Sequence, residues 1–123
     1  MPDDSATLFL DAVCSLDAER VTGQLCDDVR VSISRDVFAS GKPTISKALK
    51  RSICSLNAVR YQPAALWIRD NVSIIDADVT CERLDGSHTV FPLTLILVFR
   101  NQLISDIRVF TYQPAVIRSF LTN

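Results

Sequence analysis

The spacing of apolar residues changes from a helical period to a strand period near residue 58. Before that point apolar residues recur three and four apart over 8–16, 18–25 and 45–56, which predicts three helices. Alternation over 29–33 predicts a half-buried strand between the second and third helices, followed by a loop at 36–40. Beyond residue 58, period two predicts long strands at 58–70, 72–83, 89–100 and 103–112, with a short helix at 115–121.

Residues with restricted backbone or capping side chains mark the boundaries of these elements. Asp17 is a predicted N-cap of the second helix, and the acidic pair Asp27-Asp28 is its predicted end. Pro43 is tolerated in the first turn of the third helix. Pro63 lacks an N–H for strand pairing, so it predicts a bulge or an edge position in its strand. Asn101-Gln102 is the predicted turn between the last two strands.

The strand over 89–100 is apolar on both faces. Period two places Phe91 and Leu95 on one face, and Ile96 and Val98 on the other. A strand that is apolar on both faces must be covered on both. The helices of one short chain suffice for one face only, so the pattern predicts a homodimer formed through the sheet.

Composition supports one domain, 1–123, and excludes several classes of partner. Hydrophobic residues make up 48% of the 123 residues, which favours an oligomer that buries part of its surface. The net charge is −1, and no basic cluster exceeds Lys47, Lys50 and Arg51, so no nucleic-acid partner is expected. No run of 18 uncharged apolar residues is present, so no membrane span is expected either.

The four cysteines are far apart and show no C-x-x-C spacing. The N-terminus also lacks the basic region of a signal peptide. Two disulfides in a secreted protein remain an alternative, but these features favour reduced, structural thiols in a cytoplasmic protein. With a single histidine and dispersed acids, the sequence predicts no metal site and no cofactor.

The order of predicted elements, α-α-β-α-β-β-β-β, is that of an α+β fold. Four motifs add to this order: Phe9-Leu10 with Leu16-Asp17, Leu25–Val29, Gly41–Ile45 and Ile104–Phe110. Together they resemble the SnoaL-like and ketosteroid-isomerase-like branch of the nuclear transport factor 2 superfamily. The resemblance implies a cystatin-like, cone-shaped fold with three N-terminal helices packed on a strongly curved, mostly antiparallel sheet. It also implies a central apolar pocket and commonly a homodimer.

The resemblance further implies where catalytic groups would lie. Ketosteroid isomerases use a tyrosine on the first helix, an aspartate base on the first strand and a protonated aspartic acid on a later strand. The corresponding positions here are Phe9, Ile33 and Leu95. None of these side chains can donate or accept a proton, so the isomerase mechanism of that branch is disfavoured.

Three other side chains are candidates for proton transfer. Asp106 shares a strand face with Arg108 if the strand is regular, and the two are then expected to form a surface ion pair and leave a poor base. The three-residue apolar spacing Ile104…Ile107 hints at a bulge that would separate them. His88 titrates near neutrality, although a solvated hairpin turn is its simpler interpretation. Asp78 could approach the mouth of the pocket.

The sequence therefore supports two functional hypotheses. The first is a small-molecule-binding protein whose apolar pocket serves an isomerase, cyclase or dehydratase acting on a hydrophobic carbonyl compound. The second is a non-catalytic dimeric ligand-binding or protein-interaction module of the same fold. In either case the predicted pocket-lining residues are Phe9, Val13, Val31, Ile33, Phe38, Trp67, Phe91, Leu95, Arg108, Phe110 and Tyr112.

Overall fold

Three helices and six strands make up the part of the chain that the computed structural model describes, residues 2–111, with side chains described from Ser5 onward. The elements, in chain order, are α1 (Pro2–Cys14), α2 (Ala18–Thr22), β1 (Leu25–Ile33), β2 (Asp36–Ser40), α3 (Lys42–Cys54), β3 (Leu56–Arg69), β4 (Val72–Arg83), β5 (His88–Arg100) and β6 (Leu103–Thr111). The predicted helix at 115–121 lies outside the described residues. None of the described helices is long and apolar enough to cross a membrane.

The six strands form one curved sheet in the order β2-β1-β6-β5-β4-β3. Every neighbouring pair is antiparallel except β1 and β6, which run parallel. The predicted α+β class with a mostly antiparallel sheet is therefore confirmed. The last described strand occupies an interior position of the sheet, between β1 and β5.

The helices pack against one face of the sheet, which we call the inner face; the opposite side is the outer face. On β5 the inner face carries Phe91, Leu95 and Leu97, which are 0–8% exposed. Their neighbours Ile96 and Val98 point to the outer face and are half-buried. The two faces of this strand are therefore assigned as the sequence predicts. Most of the hydrophobic core lies between the inner face and the helices.

Two boundaries differ from the predictions. Residues 36–40 form strand β2 instead of a loop, because two residues with positive φ, Ser34 and Arg35, make a tight turn that pairs this segment with β1. Helix α2 begins after its predicted N-cap Asp17, whose side chain accepts a hydrogen bond from the Arg20 N–H at 3.2 Å. It ends at Thr22, so Asp27-Asp28 lies within β1.

Two of the register shifts in the sheet decide where several predicted site residues point. The register between β3 and β4 shifts between Pro63 and Ala65, at the edge strand of the sheet, which confirms the prediction made from the proline. A second shift places Val98 opposite Asp106 but Phe99 opposite Ile104, so one extra residue of β6 lies between them. Each bulge reverses the alternation of the residues that follow it.

Candidate functional site

A cavity of about 270 Å³ lies between the inner face of the sheet and the helices. All three helices and all six strands contribute to its wall. The wall is almost entirely hydrocarbon, with Phe9, Val13, Val31, Phe38, Ile45, Leu49, Val59, Phe91, Leu95 and Val109 among its residues. This volume is close to the lower end of the range of about 300–1,000 Å³ found for small-molecule pockets.

The first and third helices place their side chains over the cavity through helical spacing. On α1, Phe9 and Val13 are four residues apart and therefore lie on one face of the helix. On α3, Ile45 and Leu49 repeat this arrangement. Helix α3 starts directly after Gly41, whose φ of 88° favours glycine, and this turn directs the helix over the sheet.

Six of the predicted pocket residues line this cavity: Phe9, Val13, Val31, Phe38, Phe91 and Leu95. Ile33 is not among the lining residues, and it is 0% exposed where it packs against Cys81 and Phe91. Tyr112 lies outside the described residues.

Trp67, Arg108 and Phe110 were wrongly predicted to line the pocket, because all three point to the outer face. The β3 bulge falls between Tyr61, which lines the cavity, and Trp67, so the tryptophan is turned away and is 55% exposed. In β6 the cavity-lining residues are Ile107 and Val109, and alternation sends Arg108 and Phe110 to the opposite side.

The three candidate proton-transfer residues also lie outside the described cavity lining. Asp78 pairs across the sheet with Gln62 and Pro92 on the outer face and is exposed. His88, at the start of β5, lies 2.9 Å from Glu82 through Nε2, and its side chain is 57% exposed. Each of these two side chains is therefore solvated where it stands, with no contact to the cavity.

Asp106 belongs to an ion-pair network on the outer face. Its Oδ2 accepts hydrogen bonds from Arg108 Nε at 3.3 Å and Nη2 at 3.1 Å, and lies 3.5 Å from Arg30 Nη2. The predicted bulge is present in β6, but it precedes Asp106, so it leaves the Asp106–Arg108 pair on one face. A second pair joins Asp28 to Arg100, which lowers the pKa of the Asp28 carboxyl through the hydrogen bond.

Four cavity-lining side chains of the described chain carry a polar atom: Cys14, Ser52, Tyr61 and Cys81. The Ser52 hydroxyl donates to the Ala48 carbonyl at 2.9 Å within its own helix. Burial raises the pKa of the Cys81 thiol to about 11. The pKa values of Cys14 and Tyr61 are raised as well, first by burial and then by the negative charge of Asp11. All three groups are therefore protonated at neutral pH.

Two of the three positions that the resemblance assigns to the ketosteroid isomerase groups lie at the cavity. Phe9 and Leu95 both line the cavity and are 6% and 8% exposed. They present a phenyl ring and an isobutyl group to the cavity, and neither group can donate a proton. The wall formed by described residues contains no carboxylate, imidazole or amine. Within it, only the neutral thiols and hydroxyls remain as polar groups.

Cys14, Cys81 and the α3 residues of the wall were not among the predicted pocket residues. Cys81 follows Ala77 and Val79 at strand spacing, so extending the alternation of β4 would have identified it. Tyr61 also lines the cavity. Among described residues, no cluster of three His, Cys, Asp or Glu side chains could hold a metal ion.

Comparison with known proteins connects this architecture to a set of solved structures. No protein-family model matches the sequence, and no curated protein matches it. An uncharacterised cystatin-fold protein from Novosphingobium aromaticivorans is 17% identical, with a TM-score of 0.78 over 86% of this chain and 94% of its own.

Two further neighbours are associated with a ligand or an activity. A protein with a ketosteroid-isomerase-like fold from Catenulispora acidiphila, solved in complex with trimethylamine, is 13% identical, with a TM-score of 0.75 over 95% of this chain and 92% of its own. An LEH-like epoxide hydrolase from M. tuberculosis is also 13% identical, with a TM-score of 0.80 over 96% and 86%. The chain therefore has the cystatin-like fold of ketosteroid-isomerase-like and nuclear transport factor 2-like proteins, as its sequence motifs predict.

Proposed function

We propose that the protein binds a compact apolar small molecule in the cavity between its helices and its sheet. The observation that carries this proposal is a cavity of about 270 Å³ whose wall is hydrocarbon apart from four neutral polar side chains. An apolar cavity of about 150 Å³ is already large enough to stay dry and bind benzene. Filling the present cavity with a ligand gains dispersion contacts that its wall otherwise lacks.

Binding without acid–base catalysis fits the described wall better than an isomerase, cyclase or dehydratase. Such reactions need a proton acceptor within hydrogen-bond reach of the substrate. Asp106, His88 and Asp78 are the candidates for this role, and all three lie outside the cavity wall. The catalytic hypothesis would therefore need a substrate on the outer face, where Asp106 is engaged by two guanidinium groups. The neighbouring epoxide hydrolase fold shows that this architecture can carry enzymes, but not that this chain is one.

A pair of adjacent α3 variants tests the proposal. Leu49 lines the cavity and Lys50 is exposed, so Leu49→Trp fills the site while Lys50→Trp adds the same ring to the surface. Isothermal titration with indane should show binding to the wild type and to Lys50→Trp, with at least a tenfold loss in Leu49→Trp. Equal affinity of the two variants, or no heat of binding in the wild type up to the solubility of indane, would refute the proposal.

A double substitution separates binding from catalysis. In Asp106→Asn with His88→Gln, two of the three candidates lose their ability to transfer protons, yet neither residue lines the cavity. We expect unchanged indane affinity in this variant. A loss of affinity in a protein with a native circular dichroism spectrum would place one of these side chains at the ligand.

We also propose that two copies of the chain associate through the outer face of the sheet. Trp67 and Val90 are 55% and 63% exposed on this face, and Ile74, Ile96 and Val98 are half-buried beside them. A second copy would cover these side chains and supply complementary charges, because the face carries both arginines and aspartates.

Sedimentation equilibrium at micromolar concentration tests this association. Ile96→Asp places a carboxylate in the middle of the outer face, whereas Leu84→Asp places one on an exposed hairpin. We expect a dimer for the wild type and for Leu84→Asp, and a monomer for Ile96→Asp. A monomeric wild type would contradict the proposed dimer while leaving the ligand site untouched.

A further inference from the structure

The four polar side chains of the cavity wall are not equivalent. Ser52 is 5% exposed, and its hydroxyl already donates a hydrogen bond to the Ala48 carbonyl within α3. It therefore has no remaining proton for a ligand. Cys81 is buried and its pKa is about 11, which leaves a neutral thiol, and a thiol is a weak hydrogen-bond donor. Neither residue offers a strong donor to a bound molecule.

Cys14 and Tyr61 lie close together and are the two half-buried polar residues of the described wall, and we call this part of the wall its polar end. Cys14 is the last residue of α1, and its thiol lies near the backbone of Tyr61 on the edge strand β3, which partly offsets the effect of burial on the thiol pKa. Both side chains are half-buried, and Asp11, close enough to act on both electrostatically, is exposed. The wall therefore approaches solvent at this end.

Tyr61 is the best hydrogen-bonding group at this end. Its phenol is protonated at neutral pH, so it can both donate and accept a hydrogen bond. Within the described residues no hydrogen bond engages its hydroxyl. A ligand atom placed beside it could bond to the phenol and to water, whereas an atom placed elsewhere on the wall would meet hydrocarbon or a neutral thiol.

We propose that the ligand is a hydrocarbon with a single neutral polar group, and that it binds with this group at Tyr61 and with its apolar body inside the cavity. The inference rests on the proposed ligand-binding function and specifies the chemical class of the ligand. A second polar group at the far end of the molecule would be buried without a partner. Such burial costs about 30-fold in affinity, which corresponds to about 2 kcal/mol.

Three bicyclic probes of nearly equal size test the orientation. Indane has no polar group, 5-indanol has one, and 5-hydroxy-1-indanone has one at each end. Each dissociation constant is multiplied by the octanol–water partition coefficient of the compound (concentration in octanol over that in water), so that differences in general hydrophobicity cancel. We expect 5-indanol to bind at least as well as indane, and 5-hydroxy-1-indanone to bind about 30-fold more weakly than 5-indanol. Equal corrected affinities for 5-indanol and 5-hydroxy-1-indanone would overturn the single-polar-group class.

The Tyr61→Phe variant identifies the residue that receives the polar group. Removing the phenol oxygen should weaken the binding of 5-indanol by about fivefold to tenfold and leave the affinity for indane unchanged, because only 5-indanol bonds to the hydroxyl of Tyr61. Equal effects on the two compounds, or none on either, would overturn the assignment of Tyr61. Failure of indane itself to bind the wild type would instead count against the proposed function, so the two failures are distinguishable.

Discussion

The inner and outer faces of β4 and β5 are built from alternate residues of the same strands, yet they have different chemistry. On the inner face Ile75, Ala77, Leu95 and Leu97 are at most 8% exposed. On the outer face Asp76, Asp78, Thr94 and Ile96 mix charged, polar and apolar side chains. The inner face therefore has one role, to form the core and the cavity wall, whereas the outer face is suited to contact both water and a protein partner.

The two faces also differ in how they hold charged groups. Within the described residues, the outer face carries the ion pairs of Asp106 and Asp28, while the cavity wall carries no charge. Candidate acids and bases that are chosen by residue type alone, such as Asp106 and Asp78, therefore lie on the outer face and not at the cavity. The four predictions that follow test this contrast, beginning with the largest expected effect.

Truncation of adjacent side chains on opposite faces should differ most in its effect on stability. Leu97 is fully buried, so Leu97→Ala removes packed methyl groups and leaves a cavity. We expect the free energy of unfolding to fall by about 2–5 kcal/mol. Ile96→Ala on the outer face should cost less than about 2 kcal/mol in urea unfolding at a concentration where the protein is monomeric. Equal losses would mean that the outer face is as tightly packed as the inner one.

Removing the charge of Asp106 tests whether the outer-face network stabilises the fold. Asp106 is 8% exposed, so Asp106→Asn deprives two guanidinium groups of a mostly buried carboxylate. We expect the free energy of unfolding to fall by about 1–3 kcal/mol. The fall is limited to this range because the arginines are half-exposed and solvent screens the ion pairs. Asp28→Asn is the control: because its side chain is 68% exposed and screened by solvent, this substitution should lower the free energy of unfolding less than Asp106→Asn does. Urea unfolding of both variants gives the comparison.

The raised pKa of the Cys81 thiol should make the free energy of unfolding fall at alkaline pH. Its pKa is about 11 in the folded protein and 9.0 for an unperturbed thiol, so the unfolded chain loses this proton first. The contribution of the protonated thiol to the stability of the folded protein is therefore fully present below pH 9, and it is lost as the pH rises to 11. Screening by solvent limits the effect to about 1 kcal/mol.

Cys81→Ala should therefore lose about 1 kcal/mol less stability than the wild type between pH 8 and pH 11, as measured by urea unfolding at each pH. The raised pKa values of Cys14 and Tyr61 act in both proteins and cancel in the difference. Identical pH profiles would show that the thiol titrates normally.

The smallest effect is expected at the turn between β5 and β6, which helps to fix the register of both faces. Asn101 and Gln102 have φ values of 52° and 68°, a conformation that costs non-glycine residues energy. Gln102→Gly should raise the free energy of unfolding by about 0.5–1 kcal/mol. Gly86→Ala provides the opposite case, because Gly86 has a φ of 89° and an added Cβ would meet no atom within 4 Å. The free energy of unfolding of the Gly86→Ala variant should fall by about 1 kcal/mol through backbone strain alone.

Most of the sheet could be predicted from the sequence, because alternation depends on local residue order. The faces of β5, the edge position and bulge at Pro63, and the turn at Asn101-Gln102 all follow from such local patterns. Strand β2 was missed because its pairing with β1 depends on the turn at Ser34 and Arg35, where neither residue is glycine.

The site was predicted less well because a bulge shifts every later residue to the other face. A proline signals that a bulge is near, but not which residue is inserted, so Trp67 was assigned to the cavity although it lies on the outer face. For β6, the sequence shows that Asp106 and Arg108 share a face. It does not show which face packs against the helices, because that depends on the position of β6 between β1 and β5.

The interior position of β6 has a consequence for how the chain folds. Strands β3, β4 and β5 form consecutive hairpins and can assemble as soon as they are synthesised, whereas β1 and β2 join them only through β6, the last of the six described strands to be synthesised. Contacts between segments so distant in sequence slow folding. During translation the β1–β2 hairpin therefore waits, with one edge unpaired, until about the 111th residue has left the ribosome.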